Sequence, residues 1–189
     1  DDVKMISGLH LVPASHIHLI KGSGVDLDLF RETPPEEKKK LHILFPARIL
    51  RDKGVMEFIG AARMIREESA GKAVFLLAGD CDKGNLAVLK EADLLPLLDP
   101  GYVEWIGFRK DMYAVYRESD IVVLPSYREG LPKSLIEACA VGRPVITTDV
   151  PGCRECVREG WNGFLVPAKD FRMLAKAILE LVRNGGVRK

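Results

Sequence analysis

The chain has 189 residues, 47% of them apolar and 29% charged, a composition typical of a globular domain that can bury its own core. Its 28 Lys and Arg nearly balance its 27 Asp and Glu, and the net charge of +1 argues against a nucleic-acid partner. The longest apolar runs are far shorter than a bilayer span, so we expect no transmembrane segment.

The first 40 residues differ in pattern from the rest of the chain. Residues 16–22, HIHLIKG, alternate apolar and polar side chains and predict a short strand. Residues 31–40, RETPPEEKKK, contain two prolines and a run of charges, and they predict a solvated linker. The chain begins with Asp rather than Met, so we expect it to be a piece of a longer protein. We therefore place an interdomain strand and linker region over residues 1–40 and a domain over residues 41–189.

From residue 41 onward, short apolar runs alternate with helical patterns. The apolar runs predict strands buried on both faces; they are LHILFPA, AVFLLAG, YVEWIGF, DIVVLPS, RPVITTD and GFLVP. The segments between and after them predict helices; they are VMEFIGAARMIREES, NLAVLKEADLLPLL, KDMYAVYRES, PKSLIEACAV, RECVREG and FRMLAKAILELVRN. Pro96 should end or kink the second of these helices. This alternation predicts an α/β fold with a doubly wound parallel sheet, which is Rossmann-like.

Ligands of such sheets bind at the carboxyl ends of the strands, near the point where the strand order reverses. Two known phosphate-binding motifs fail in this chain. Gly79 and Gly84 have the glycine spacing of a P-loop, but the Lys and the Ser or Thr that should follow are missing. Gly22-Ser23-Gly24 lacks the third glycine of the dinucleotide fingerprint, which disfavours an NAD-dependent oxidoreductase.

The helix predicted after Gly130 begins in a way that favours a bound anion. Pro132 is expected at its first position and Gly142 at its end. Neither Gly130 nor Leu131 has a side chain that could cap the first N–H groups. A diphosphate could accept hydrogen bonds from these groups and gain from the helix dipole. Capping by water or by a distant side chain is the alternative.

Two cations follow the first core strand and should lie over the same edge of the sheet. Arg48 and Lys53 could together neutralise a diphosphate through charge-assisted hydrogen bonds. The alternative is a solvated loop in which they pair with Asp52 or Glu57.

Two glutamates flank the start of the same helix. Glu137 lies in the second turn, on the side opposite the predicted buried face and near Lys133. It is either a surface carboxylate or an acceptor for sugar hydroxyls, since a carboxylate can accept two hydrogen bonds from a cis-diol. Glu129 lies in the preceding loop, where no helical pattern explains it.

These residues follow one another in an order that resembles a known family. The sequence looks like the C-terminal, donor-binding domain of retaining GT-B glycosyltransferases of family 4, the glycosyl transferases group 1 type. The matching signature is E-x7-E, here Glu129 and Glu137, within DIVVLPSYREGLPKSLIEACAVGRPVITTDVPGCRE. GSGVDLDLF, PARILRDKG, EWIGFRKDM and GWNGFLVP also match in the family's order. The resemblance spans nearly the whole chain, from about Ile17 to Leu181.

The resemblance implies roles for the charged residues. Arg48 and Lys53 would contact the diphosphate of the donor, and Glu129 would lie against the hydroxyls of the donor sugar. Glu137 would bind the nucleotide ribose. Arg48, Lys53 and Glu129 are therefore the expected catalytic residues. One departure is minor: Pro132 stands where the family commonly has glycine, which removes one possible N–H donor.

The resemblance also implies further substrate-binding positions. Backbone N–H groups around Gly130 and Leu131 would face phosphate or sugar. Phe108 and Arg109 would lie where the family holds the base, and Gly24 would lie near the interdomain cleft.

The resemblance implies an enzyme of two Rossmann-like domains, of which the N-terminal one carries the acceptor site, and we expect this chain to lack that domain. For the complete enzyme the resemblance implies transfer of a sugar with retention, from a nucleoside diphosphate sugar to a glycan or lipid-linked acceptor in bacterial-type surface polysaccharide assembly. We expect a UDP-linked donor, no metal and no cofactor. The expected location is the cytoplasm, where the missing domain could attach the protein peripherally to the inner membrane face. The isolated chain is expected to bind donor weakly and to transfer nothing.

Other functions remain open at this stage. A non-transferase on the same fold, such as a sugar-nucleotide epimerase, would share the diphosphate site, whereas a phosphorylase would need a pyridoxal lysine that no motif marks. A non-catalytic module that only binds nucleotide is a further alternative. Cys153 and Cys156 form a lone C-x-x-C with no second pair and no nearby His, so we interpret it as a chance pair rather than a zinc site.

Overall fold

Six parallel strands form one sheet in the computed structural model, which describes residues 2–9, 12–18, 20, 22–34, 38–69, 71–82 and 84–185. They are β1 Leu41–Pro46, β2 Ala73–Ala78, β3 Val103–Gly107, β4 Ile121–Leu124, β5 Val145–Thr148 and β6 Gly163–Val166. The order across the sheet is β3-β2-β1-β4-β5-β6, and each neighbouring pair is parallel. The predicted doubly wound, Rossmann-like fold is thus confirmed. The strand order reverses between β1 and β4, which is where this topology places a ligand site.

The helices in the described residues are α1 Asp2–Gly8, α2 Val55–Met64, α3 Arg66–Ser69, α4 Glu91–Leu94, α5 Met112–Arg117, α6 Lys133–Ala140 and α7 Phe171–Arg183. Of these, α2 and α7 pack on one face of the sheet, and α5 and α6 pack on the other. Asp111 and Asp170 begin α5 and α7, because each carboxylate accepts a hydrogen bond from a backbone N–H of the first turn. No helix in the part of the chain that the structure describes combines the length and apolarity needed to cross a bilayer.

The core lies in two layers, one on each side of the sheet. Ile43 and Phe45 of β1 pack on the face covered by α2 and α7. Leu44, between them, packs on the opposite face with Tyr116 of α5 and Leu135 of α6. Successive side chains of a strand point to opposite faces, so a strand covered on both sides must be apolar throughout. This explains the continuous apolar runs in the sequence.

The strand predicted over residues 16–22 is wrong for the part of that segment that the structure describes. Its described residues pair with no strand, and Leu19 and Lys21 lie outside the described residues. An alternating pattern forms a strand only where a neighbouring strand supplies hydrogen bonds and side-chain packing. All neighbours in this sheet come from residues 41–166.

The helix predicted over residues 85–98 is much shorter than expected. The Asn85 side chain accepts a hydrogen bond from the Ala87 N–H, and Val88 forms an isolated bridge with Leu50. Such local side-chain hydrogen bonds compete with helix formation. Helical structure therefore begins only at α4, and Pro96 lies in a 3₁₀ turn that follows it.

The linker predicted over residues 31–40 contacts the domain rather than lying wholly in solvent. Residues 35–37 of it lie outside the described residues. The Thr33 N–H donates to the carbonyl of Val141 at 3.3 Å, and Lys38 forms an ion pair with Asp120 at 3.6 Å. Arg31 and Lys39 are exposed, as the charge run predicted.

Candidate functional site

A cleft of about 400 Å³ opens at the carboxyl ends of the strands, between the loops after β1, β2 and β3 and the first turns of α6. Its lining residues are Pro46, Ala47, Arg48, Ala78, Gly79, Asp80, Asp82, Phe108, Arg109, Met112, Tyr116, Ser134 and Glu137. Four residues predicted from the sequence therefore line one cavity, namely Arg48, Phe108, Arg109 and Glu137. The other predicted site residues lie outside this lining.

Glu137 is buried at the wall of the cleft, with 8% of its surface exposed. Tyr116 Oη donates a hydrogen bond to its Oε2 at 3.1 Å, and Lys133 Nζ lies 3.7 Å from its Oε1. The surface-carboxylate alternative is wrong, because Glu137 is buried and in contact with Tyr116 of α5. Burial and the neighbouring Glu137 charge raise the pKa of Tyr116 well above its ordinary value, so the phenol remains a hydrogen-bond donor.

Arg48 forms an ion pair across the cleft with Asp82, whose Oδ2 lies 2.6 Å from its Nη1. Asp82 is held in a turn, because its Oδ1 accepts a hydrogen bond from the Gly84 N–H. The pairing with Asp52 or Glu57 that the sequence left open does not occur for Arg48. An anion entering the cleft meets this guanidinium already fixed beside one carboxylate.

Lys53 and Glu129 form a second ion pair, with 2.6 Å between Nζ and Oε1. Their side chains are only 21% and 12% exposed, so the pair is largely buried. The loops that carry them are tied together, since the Tyr127 N–H and the Ser126 hydroxyl both donate to the Asp52 carbonyl. The pair therefore joins the loops after β1 and β4 across the point where the strand order reverses.

Close backbone contacts hold the loop that contains Glu129 and Gly130. Gly152 has a φ of +84°, and a Cβ at this position would lie 1.8 Å from the Gly130 carbonyl oxygen. Gly54 has a φ of +79°, and its Cβ would lie 2.2 Å from the Pro125 carbonyl oxygen. Only glycine permits both the left-handed backbone and these approaches.

The start of α6 is uncapped, as predicted, but the helix begins one residue later than expected. Pro132 is its N-cap rather than its first residue, and no side chain caps it. The Leu135 and Ile136 N–H groups both donate to the Pro132 carbonyl. Within the described residues, the N–H groups of Lys133 and Ser134 have no hydrogen-bond partner. The predicted end is confirmed at Gly142, where φ is +79°.

The loop that contains Gly24 approaches this helix start from the other side. A Cβ on Gly22 would lie 2.7 Å from the Leu131 side chain, so the two segments are in contact. Gly24 itself has a φ of +70° and nothing within 4 Å of a Cβ built on it. The contact with Leu131 is thus made by Gly22, two residues before Gly24, and Gly24, Gly130 and Leu131 all lie outside the lining of the cleft.

The sequence interpretation missed three polar residues of the cleft. Asp82 comes four residues after the end of β2 at Ala78, and this place close behind a strand end is the signal that could have found it. Tyr116 lies within the predicted helix KDMYAVYRES, whose spacing gives no sign of a hydrogen bond to Glu137. Ser134 faces the cleft from the first turn of α6.

The cysteines and acidic residues offer no metal centre in the described part of the chain, where no three His, Cys, Asp or Glu side chains are placed to hold an ion. All four cysteines are free thiols. Burial raises the pKa of Cys139 and of Cys153, and burial together with neighbouring thiols and carboxylates raises that of Cys156 to about 12.

The reversal of strand order between β1 and β4, with a cleft at the carboxyl ends of the strands, defines a Rossmann-like α/β domain of the GT-B type. Residues 40–184 match the model of the family described as glycosyl transferases group 1. The chain belongs to this family, and the resemblance noted in the sequence is confirmed.

Two curated relatives illustrate the range of the family. The chain is 33% identical over 184 residues to N,N'-diacetylbacillosaminyl-diphospho-undecaprenol alpha-1,3-N-acetylgalactosaminyltransferase of Campylobacter jejuni, a match that covers 91% of this chain and 46% of that enzyme. It is 31% identical to the capsular polysaccharide biosynthesis glycosyltransferase CapM of Staphylococcus aureus, covering 88% and 45%. The chain thus spans about half the length of the curated relatives it matches.

Two solved structures share the fold of this chain. The C-terminal domain of the glycosyl transferase group 1 family protein LpcC from Francisella tularensis superposes with a TM-score of 0.72 at 26% identity, covering 87% of this chain and 91% of that one. Anabaena HepE, solved in complex with UDP, superposes with a TM-score of 0.74 at 23% identity, covering 87% and 48%. The second match supports the fold alone.

Proposed function

We propose that this chain is the donor-binding domain of a retaining glycosyltransferase and that it binds a nucleoside diphosphate sugar. The observation that carries the proposal is the set of groups around one cleft at the reversal of strand order: Arg48, Glu137 and the uncapped start of α6. A volume of about 400 Å³ suits a nucleotide-sized ligand, since small-molecule pockets usually enclose about 300–1,000 Å³.

The diphosphate would lie between Arg48 and the first turn of α6. The guanidinium supplies charge-assisted hydrogen bonds, and the Lys133 and Ser134 N–H groups supply donors at the positive end of the helix dipole. Negative charge develops on the diphosphate as the glycosidic bond to the sugar breaks. Donors fixed in place beforehand stabilise that charge without reorganising, which lowers the barrier.

The donor sugar would lie beside the Lys53–Glu129 pair. In this pair the lysine charge compensates a largely buried carboxylate, which leaves Glu129 oxygens able to accept hydrogen bonds from sugar hydroxyls. Lys53 would then contact the diphosphate from the same place. This arrangement supports a catalytic role for both residues.

The nucleoside would occupy the part of the cleft bordered by β3 and α6. Phe108 is 72% exposed and offers a ring face to the base, next to Arg109. Glu137 would accept hydrogen bonds from the ribose hydroxyls, with Tyr116 holding its other oxygen. We propose UDP as the nucleotide and no further cofactor. The UDP complex of Anabaena HepE, which shares the fold, supports this choice.

The complete protein would transfer the sugar to a glycan or lipid-linked acceptor in bacterial-type surface polysaccharide assembly. Support comes from the relatives, because CapM is named for capsular polysaccharide biosynthesis and the Campylobacter enzyme for a diphospho-undecaprenol acceptor. The acceptor would bind to the half of the enzyme that this chain does not span.

Isothermal titration of the 189-residue chain with UDP, GDP and ADP tests donor binding. We expect UDP to bind, and Arg48→Ala to weaken it by about 10- to 150-fold, the worth of a hydrogen bond to a charged group. Arg183→Ala is the matched control, because it removes an arginine that pairs with a carboxylate, that of Glu68, but does not line the cleft. Unchanged affinity in Arg48→Ala would contradict the diphosphate role, and failure of all three nucleotides to bind would contradict donor binding itself.

The stereochemistry requires the full-length enzyme. We expect the product to keep the anomeric configuration of the donor sugar, which the coupling constant of the anomeric proton reports in an NMR spectrum. An inverted product would contradict the retaining mechanism and leave the donor-binding role intact.

A further inference from the structure

A buried arginine docks the segment before β1 onto α5 and α6. Arg143 is 2% exposed and donates hydrogen bonds to three carbonyls: that of Tyr116 from Nε at 3.0 Å, that of Arg117 from Nη2 at 3.0 Å, and that of Thr33 from Nη1 at 2.8 Å. A buried guanidinium is stable only when its N–H groups have acceptors, so these contacts constrain both segments. Arg143 therefore joins Thr33 to the end of α5.

The same segment also contributes an aromatic ring. Phe30 is buried and packs edge-on against Tyr116 and against Tyr113, with ring centroids 6.1 Å apart in each case. The Thr33 hydroxyl lies 3.2 Å from that of Tyr113, which closes the contact from the other side. Phe30 and Thr33 thus hold the face of α5 that carries Tyr116.

Tyr116 connects this docked segment with the cleft. Its ring is fully buried against Phe30, its carbonyl accepts from Arg143, and its hydroxyl donates to Glu137. Each end of the residue is therefore fixed by a different partner. Any shift of the segment relative to the sheet would displace the phenol, and with it the carboxylate that it holds.

We propose that Phe30 and Arg143 are positioning residues of the donor site, which hold Tyr116 so that it orients Glu137 toward the ribose hydroxyls. This inference rests on the proposed function, because it takes Glu137 to be the ribose acceptor. Ribose recognition then depends on how the segment before β1 is docked, although neither Phe30 nor Arg143 lines the cleft.

The test compares UDP with 2',3'-dideoxy-UDP, which keeps the base and the diphosphate but lacks the hydroxyls that Glu137 would bind. In the wild-type chain we expect UDP to bind more tightly than the dideoxy ligand. We expect about tenfold weaker affinity for UDP in each of three variants, Tyr116→Phe, Phe30→Leu and Arg143→Lys. This is the effect of losing one oriented hydrogen bond to a charged group. Their affinity for the dideoxy ligand should stay within about twofold of wild type, because the remaining contacts are untouched.

Tyr102→Phe is the matched control for removing a buried phenol. Tyr102 donates to the Ala62 carbonyl at 2.7 Å on the other face of the sheet, so its loss should lower the melting temperature and leave the preference for UDP unchanged. Equal weakening of both ligands in the Phe30 and Arg143 variants would show a merely structural role and overturn the proposal. Wild-type affinity for both ligands would overturn it too.

Glu137→Gln separates this inference from the proposed function. If Glu137→Gln abolishes the preference for UDP while Phe30→Leu, Arg143→Lys and Tyr116→Phe keep it, the positioning role is wrong and the ribose role of Glu137 stands. If wild type binds both ligands equally, the ribose role itself fails and the positioning role falls with it. Should Arg143→Lys not fold, Tyr116→Phe and Phe30→Leu decide the outcome.

Discussion

Replacing Gly152 by alanine tests whether the close packing behind the Glu129 loop shapes the site. Gly152 has a φ of +84°, and an added Cβ would lie 1.8 Å from the Gly130 carbonyl oxygen. A real Cβ does not approach backbone this closely, so the Gly152 turn and the loop after β4 must separate by more than 1 Å. Because Glu129 and Gly130 are adjacent, that movement displaces the carboxylate proposed to face the donor sugar.

The size of the effect follows from two separate costs. An L-residue in the left-handed region costs about 1–2 kcal/mol. Overpacking against a backbone that cannot yield adds about 1–3 kcal/mol. Gly101→Ala carries the first cost without the second, since Gly101 has a φ of +81° and nothing lies within 4 Å of its Cβ. For a domain of this size each kcal/mol lowers the melting temperature by about 2–4 °C.

The assay is a pair of measurements on both variants, thermal unfolding by circular dichroism and UDP titration. Gly101→Ala should lower the melting temperature by about 2–8 °C and keep UDP affinity. Gly152→Ala should lower the melting temperature by clearly more than Gly101→Ala does, and it should also lower the affinity for UDP. Equal melting temperatures in the two variants would refute the packing argument, and unchanged UDP affinity in Gly152→Ala would refute its link to the site.

Three further predictions concern the charges and thiols. Lys53→Met should destabilise the fold by about 3 kcal/mol because it leaves the largely buried Glu129 carboxylate unpaired; adding Glu129→Gln should recover most of this in urea unfolding, and no recovery would refute the pairing. The pKa of each of Cys139, Cys153 and Cys156 is raised in the fold, so their contribution to stability is complete below the unfolded pKa of about 8.5 and is lost as pH rises further. The free energy of unfolding should therefore fall above about pH 8.5, and serine at these three positions should flatten the fall; a rise in stability over that range would contradict the buried, protonated thiols. EDTA should leave UDP affinity unchanged, since cations of the protein would neutralise the diphosphate, and a loss restored by Mg²⁺ would show that a metal takes part.

Much of the fold could be predicted from local pattern. The spacing of apolar residues is a local feature that the sequence shows directly. Because both faces of this sheet are covered, its strands are apolar throughout, and the six apolar runs could be recognised as buried strands. The wrong predictions concern segments whose structure depends on which hydrogen-bond partner they have. Residues 16–22 alternate but pair with no strand in their described part, and Asn85 bonds to a nearby backbone N–H where the periodicity predicted helix.

The candidate residues were equally visible in the sequence, because a strand end followed by Arg48 and a helix start with Glu129 and Glu137 are short-range features. Their roles in the site remain predictions, for which the binding experiments provide the test. The sequence also showed that neither Gly130 nor Leu131 could cap α6, and the structure then excluded a cap from the other side chains that it describes.

Only the tertiary structure decided which partner each charge takes. Arg48 pairs with Asp82, 34 residues away, and Lys53 with Glu129, 76 residues away. The hydroxyl that holds Glu137 comes from Tyr116, 21 residues before it on another helix. Separation along the chain does not predict these contacts, because they form only when the crossover connections bring the ends of different strands to one edge of the sheet. The candidate charges named from the sequence could therefore be recognised singly, whereas their partners, Asp82 among them, could not.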